Sequence, residues 1–449
     1  MNCIGLDIGT SSICVCALNT QTGGIIESLT FANNFGVAGA KYERKQNAAA
    51  LVEKCVCAVD LFIEKYTPVC GIGITGQMHG IVYFDKNCDP VSDLFTWQDM
   101  SALQKNAQGV SYSEELSLLS GYNISPGYGA ATFFCHNSKK EVPEKTAGIC
   151  TIHDLVAAKL AGLDRPVMHS SDAHSIGLYD INNGCFDKAA AAKAGLDPAF
   201  FPDVVNDAVI IGRHKGIPVC CALGDNQASF AGSVRDVKNS VLLNFGTGSQ
   251  ISFLTDKNYS KSIDNAEIRP YHKENSLFAG FALCGGRAFS LLEKFIKSVL
   301  SLSGTDFENA YPFIDKALEN SVEPEDPLKV RTTFSGTRTE PGLKGAVENI
   351  GTENFTALHL IYGVLHGMTD ELAQIYKKSG HPLHKYIVGS GNGLRKNKAL
   401  QQIIGNTFGL EIKIPLHTEE AAYGACLYAM TAAGVFNSLN DAQKIIKYI

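Results

Sequence analysis

Ile4-Gly5-Leu6-Asp7-Ile8-Gly9-Thr10-Ser11-Ser12-Ile13 opens the chain, and its pattern returns at Leu243-Asn244-Phe245-Gly246-Thr247-Gly248-Ser249. Asp7 aligns with Asn244, Gly9 with Gly246, Thr10 with Thr247 and Ser12 with Ser249. In both copies an apolar strand runs into glycine and hydroxyl residues. Glycine lets a backbone come close to an anion, and hydroxyls and amides supply donors, so each copy is a candidate phosphate loop. Two such hairpins half a chain apart imply a duplicated α/β fold with a nucleotide held between the copies.

The rest of the composition agrees with two cores. A chain of 449 residues exceeds one ordinary domain, which leads us to expect two of roughly 200 residues each. The polar connector Ser233-Val234-Arg235-Asp236-Val237-Lys238 puts the division at residues 1–236 and 237–449. Hydrophobic residues make up 45% and charged residues 19%, a globular balance that excludes a disordered chain. A net charge of −6 gives no electrostatic reason for a nucleic acid or anionic membrane partner. The first residues read as a strand rather than a leader, and no apolar run reaches the roughly 18 residues of a membrane span, so a cytoplasmic location is expected. The 14 cysteines include no CxxC pair, which suits buried thiols better than zinc or a disulfide framework.

Between the hairpins, Ile217 to Leu223 reads as one buried strand delivering Gly224-Asp225-Asn226 at its end. A Gly-Asp pair at a strand end is an ordinary turn more often than a reactive group, and Asp7 could equally be an Asx-turn residue. The repeat shifts both toward function. Ala48 to Tyr66 carries apolar residues at helical spacing, and Val69 to Thr75 is a short buried strand. That strand ends in Gly76-Gln77-Met78-His79-Gly80, making Gln77 and His79 pocket candidates, although a lone histidine is more often a core or surface group. Trp97 fits either a core or a sugar-pocket wall. Gly121 to His136 reads as a long loop, lining a pocket or merely connecting, before a helix; Asp154 opens a helix, and Ser170-Ser171-Asp172-Ala173 reads as a turn. In the second half Gly285-Gly286 leads into a helix, Ser321 to Arg331 reads as an exposed loop, and Tyr386-Ile387-Val388 runs into Gly389-Ser390-Gly391-Asn392-Gly393.

Taken together, the three glycine turns, their order and Asp225 resemble the FGGY carbohydrate kinases, a branch of the actin-like ATPase superfold. The pieces that carry the resemblance also include Thr96-Trp97-Gln98-Asp99, Gly127-Tyr128-Gly129-Ala130-Ala131-Thr132 and Thr151-Ile152-His153-Asp154. It implies two ribonuclease-H-like domains with a cleft between them, the first binding sugar and the second nucleotide. Asp225 would be the general base and Asp7 would help hold Mg²⁺ through water. Thr10, Ser11, Ser12, Gly246 and Thr247 would grip the phosphates of ATP, with Gly286 beside them. Gly391, Asn392 and Asn397 would line the nucleoside, and Gln77, Met78, His79, Trp97 and Asn226 the sugar. The implied reaction is phosphorylation of a ketose at its terminal hydroxyl, with sedoheptulose ahead of xylulose or ribulose. One position departs from the pattern. Many members carry Lys or Arg where this chain has Cys14, which keeps an actin-like ATP-binding module without transfer activity as the alternative.

Overall fold

The computed structural model describes residues 1–256, 258–259, 261–305, 307–380 and 384–449. The chain divides into two compact units. The first comprises Met1–Arg235, Arg269–Ser276 and Glu419–Lys447, and the second Asp236–Ile268, Leu277–Thr418 and Tyr448–Ile449.

A mixed sheet forms the centre of the first unit, with strand order Ile210–His214, Ile217–Cys220, Val69–Gly76, Asn2–Ile8, Ser12–Asn19, Ile25–Ala32. Asn2–Ile8 and Ser12–Asn19 make the expected hairpin, and Val69–Gly76 runs parallel to the first of them with Asp7 opposite Thr75 and Ile8 opposite Gly76. Most residues of the hairpin strands are buried, as continuous apolar runs in a sheet covered on both faces should be. Helix Ala48–Tyr66 covers one face with Leu51, Val52, Cys55, Val59 and Phe62, at the spacing read from sequence. Its Asn47 side chain accepts from Ala50 N at 3.0 Å and caps the start.

Helix Glu420–Ala432, with sequence EAAYGACLYAMTA, covers the other face. Its small residues allow backbone-to-backbone contact: a Cβ on Gly73 would stand 1.9 Å from Ala425 O, and one on Gly424 would stand 1.9 Å from Ala228 O. This packing is why the chain returns to the first unit at its end, a return that a division at residue 236 does not contain.

The second unit repeats the arrangement. Its sheet order is Ala266–His272, Asn275–Ala282, Ser249–Asp256, Ser240–Phe245, Tyr386–Ser390, Glu411–Lys413, with the Arg269–Ser276 end of the first hairpin counted in the first unit. Ser240–Phe245 pairs antiparallel with Ser249–Asp256 and parallel with Tyr386–Ser390, so Asn244 faces Ser390 as Asp7 faces Thr75. The long helix Ala357–Ser379 packs on this sheet through Leu365, Met368, Leu372 and Ile375.

Four local readings need correction. The second half of Gly121 to His136 is not loop but the body of helix Gly129–Lys139, because Ala130, Ala131, Phe133 and Phe134 pack into the core. Ile217 to Leu223 is two strands, Ile217–Cys220 and Leu223–Gly224, because Cys221 N turns aside to Val209 O and only Leu223 and Gly224 rejoin Thr75 and Gly76. Ser170 to Ala173 is the start of helix Ser170–Ile176, capped by His169 Nδ1 accepting from Ser171 N. Ser321 to Arg331 ends in strand Lys329–Arg331, with Val330 buried against the helix that follows.

Candidate active site

In the first unit, the turn after strand Asn2–Ile8 is tied down by side chains from four places in the chain. Thr10 Oγ1 donates to Gln77 Oε1 at 3.1 Å and accepts from Trp97 Nε1 at 2.9 Å. Gln77 Nε2 donates to Gln46 Oε1 at 2.9 Å, and Gln46 Nε2 donates to Thr10 O at 2.9 Å. Asn33 Nδ2 reaches Gly9 O at 2.8 Å, while Asn33 N donates to Ser11 O at 2.9 Å. The turn leaves Ser11 and Ser12 exposed. Gln77, expected at the sugar, is buried with both ends of its amide engaged in this network. Trp97 is 44% exposed rather than core, with its indole N–H holding Thr10.

Three carboxylates gather nearby. Asp7 Oδ1 is out of water and has no hydrogen-bond partner. Burial, then the charges of Asp225 and Glu419, push Asp7 up to about 8. Burial also raises Asp225, while His153 and Arg269 pull it back toward the charged form. Crowded carboxylates repel one another, and an oxygen without a donor fits a hard cation such as Mg²⁺.

Asp225 opens helix Asp225–Ser233 directly after the short strand Leu223–Gly224. Ser171 Oγ accepts from Gly224 N at 3.0 Å, fixing that strand end. Next to Asp225, Asn226 Oδ1 accepts from Arg269 Nη1 at 3.1 Å. Met78 is buried, and a Cβ on Gly224 would stand 2.8 Å from its Sδ, so the thioether lies against the Asp225 strand end. His79 has a positive φ of 74°, its Nδ1 sits 2.8 Å from Ser175 O, and its ring stacks on Tyr128 at 4.7 Å.

In the second unit, Gly246 and Thr247 are exposed at the tip of their hairpin. Backbone at the start of helix Gly286–Ser301 braces them: Gly286 N donates to Gly246 O at 2.8 Å and Arg287 N to Thr247 O at 3.0 Å. A Cβ on Gly286 would stand 2.7 Å from Gly246 O. Gly391 has φ 86° and would carry any Cβ to 2.6 Å from Phe245 O, so the chain can turn there only as glycine. Gly286, Asn392 and Asn397 line one cavity of about 610 Å³ together with Phe289, Tyr311 and Met368. Asn397 also caps helix Lys398–Phe408, accepting from Leu400 N at 2.9 Å.

Residues 2–232 match the N-terminal domain of the FGGY family of carbohydrate kinases, and residues 244–433 match its C-terminal domain. The chain belongs to this family. It is an ATP-dependent carbohydrate kinase. Sedoheptulokinase from Homo sapiens is 24% identical over 94% of this chain and 96% of its own length. Gluconate kinase from Lactobacillus acidophilus shares the fold with a TM-score of 0.84 at 16% identity, covering 100% of this chain and 92% of that one. The ligand-bound xylulose kinase from the same organism gives 0.82 at 16%, again covering 100% and 92%. The fold of this FGGY kinase is thus the pair of ribonuclease-H-like units of the actin-like ATPase superfold. Among the described residues no helix is long and apolar enough to cross a membrane.

Cys14 of this FGGY kinase is 4% exposed and faces Asp7 across the hairpin, with Glu419 close enough to raise its thiol further after burial. Sequence reading missed Glu419, Arg269, Gln46 and Asn33. Gln46 and Asn33 lie in a stretch with no periodic pattern. Glu419 stands just before the small-residue helix, and only the packing of that helix brings it to Asp7.

Proposed function

We propose that the chain transfers the γ-phosphoryl group of ATP to the terminal hydroxyl of a ketose, with sedoheptulose as its substrate. Asp225 accepts the hydroxyl proton as the new O–P bond forms, and the arrangement of Asp225 at a strand end beside Asn226 and Arg269 is the observation that carries this reading. Asn226, Met78 and His79 orient the sugar. Thr10, Ser11 and Ser12 present donors to the transferred group. Gly246 and Thr247 hold the remaining phosphates, and Gly391, Asn392 and Asn397 hold the nucleoside. Asp7, with its unpartnered oxygen, would hold Mg²⁺. When bound, the metal neutralises charge on the phosphates. A buried Cys14 adds no cation, so the first turn relies on donors alone to meet the phosphoryl oxygens.

Support for the seven-carbon sugar is the match to sedoheptulokinase along 94% of the chain. Xylulose is the second reading, favoured by xylulose kinase from Staphylococcus xylosus, 22% identical over 98% of this chain and 92% of its own length. ADP release measured with sedoheptulose, xylulose, ribulose, gluconate and glycerol tests it. The highest kcat/KM is expected with sedoheptulose, and a preference for xylulose by tenfold or more overturns that assignment. Release of ADP that no sugar stimulates would overturn sugar transfer itself.

A further inference from the structure

Behind Asp225 lie three side chains that the transfer reaction does not use. His153 and Asp154 stand in the first turn of helix Ile152–Ala161, and Asp172 stands in helix Ser170–Ile176. All three are 0% exposed. One nitrogen or oxygen from each lies within 4.8 Å of the others.

His153 Nε2 is 3.0 Å from Asp172 Oδ1, yet the two are not aligned as a hydrogen bond. Both ring nitrogens of His153, both oxygens of Asp172 and Oδ1 of Asp154 have no hydrogen-bond partner among the described residues. Asp154 Oδ2 accepts from Thr151 Oγ1 at 2.6 Å. The hydroxyl nearest in sequence to Asp172, that of Ser171, lies beside it but also accepts from Gly224 N at 3.0 Å and sits 2.9 Å from His169 Nδ1.

Two adjacent carboxylates sealed from water need a positive charge or protons. A bridging water would give hydrogen bonds but would not offset the repulsion between Asp154 and Asp172. Two atoms each about 2.1 Å from a shared cation stand about 3.0–3.4 Å apart without pointing at each other, which is the relation of His153 Nε2 to Asp172 Oδ1. An imidazole beside two carboxylates suits zinc or manganese better than calcium or magnesium.

We propose that His153, Asp154 and Asp172 form a structural site for one divalent transition cation, zinc or manganese, separate from the magnesium that accompanies ATP. The site braces the strand ends that carry the reacting groups. A Cβ on Gly76, the residue before Gln77, would stand 3.0 Å from His153 Nδ1, and Gly76 pairs with Gly224, the residue before Asp225.

Metal analysis of the nucleotide-free protein tests this, both as purified and after refolding with zinc or manganese, followed by dialysis into metal-free buffer. About one equivalent of zinc or manganese per chain is expected, with a thermal midpoint several degrees above that of protein refolded with a chelator. His153→Gln and Asp172→Asn should lose the bound metal and the shift, while Asp7→Asn should keep both. Protein that retains no metal under either condition, with a midpoint unmoved by either cation, overturns the proposal. So does full retention by His153→Gln. If Asp172→Asn does not fold, the wild-type protein and His153→Gln decide the outcome.

Discussion

The turns Gly9–Ser12 and Gly246–Gly248 descend from one sequence pattern and sit on equivalent strands, yet they are held by opposite means. Side chains of Gln77, Gln46, Asn33 and Trp97 secure the first. Main-chain amides of Gly286 and Arg287 secure the second. The first unit therefore fixes its turn with groups that selection can exchange one at a time. In the second unit the turn depends on where a helix begins, and a side chain at Gly286 would displace it. The difference matches the proposed labour of the two units: the carboxylate proposed as the base lies in the first, and the cavity proposed for the nucleoside lies in the second.

That division is tested most severely at Asp225. Asp225→Asn should lower kcat by about 10²–10⁴ and leave both KM values within a few-fold, because an amide keeps the shape but cannot take the proton. Turnover within a few-fold of the parent would remove the base from the first unit and the comparison with it.

A smaller effect is expected where main chain does the holding. Gly286→Ala places a methyl 2.7 Å from Gly246 O, so the KM for ATP should rise by about tenfold or more, from a loss of about 1.4 kcal/mol or more, while the KM for sugar stays put. An equal rise in both constants would mean that the second turn is not a nucleotide device.

Substituting the side-chain tether should give the converse result. Gln77→Leu leaves Thr10 Oγ1 and Gln46 short of partners in a buried network and should cost about 1–3 kcal/mol in denaturant unfolding. It should also lower kcat without raising the KM for ATP.

Asp7 separates the two turns by pH, since Asn244 in the equivalent place cannot titrate. The unfolded chain loses the Asp7 proton near pH 4, whereas the folded protein keeps it up to about 8. Folding is therefore penalised increasingly as pH rises from 4 to 8 in the absence of divalent ions. Asp7→Asn should melt at a higher temperature than the parent at pH 8, with the gap closing toward pH 4 and narrowing when Mg²⁺ is added. A gap that is independent of pH would show that Asp7 is not the titrating group.

Much of this was legible in the sequence wherever the signal is local. The repeated hairpin, helix Ala48–Tyr66 and the position of Asp225 after an apolar run each follow from a short pattern of residues. Groups recruited over long distances were not legible. Glu419 meets Asp7 only because Gly73 and Gly424 let a late helix settle against early strands, and Arg269 reaches Asn226 from a hairpin tip with no motif. The two strands within Ile217 to Gly224 were hidden for a related reason: their break is made by a main-chain bond to Val209, which composition does not encode.

The helix Glu420–Ala432 carries a consequence for biosynthesis. Its seat is shaped by glycines near the start of the chain, so the first unit waits for almost the whole polypeptide to leave the ribosome before its core closes. Until then the early sheet has an uncovered apolar face, and Asp7 and Asp225 lack their third carboxylate. A nascent chain arrested before residue 419 should be cut readily by protease within residues 1–235, and one released at full length should resist. The order of synthesis thus keeps an unfinished kinase from having an assembled site.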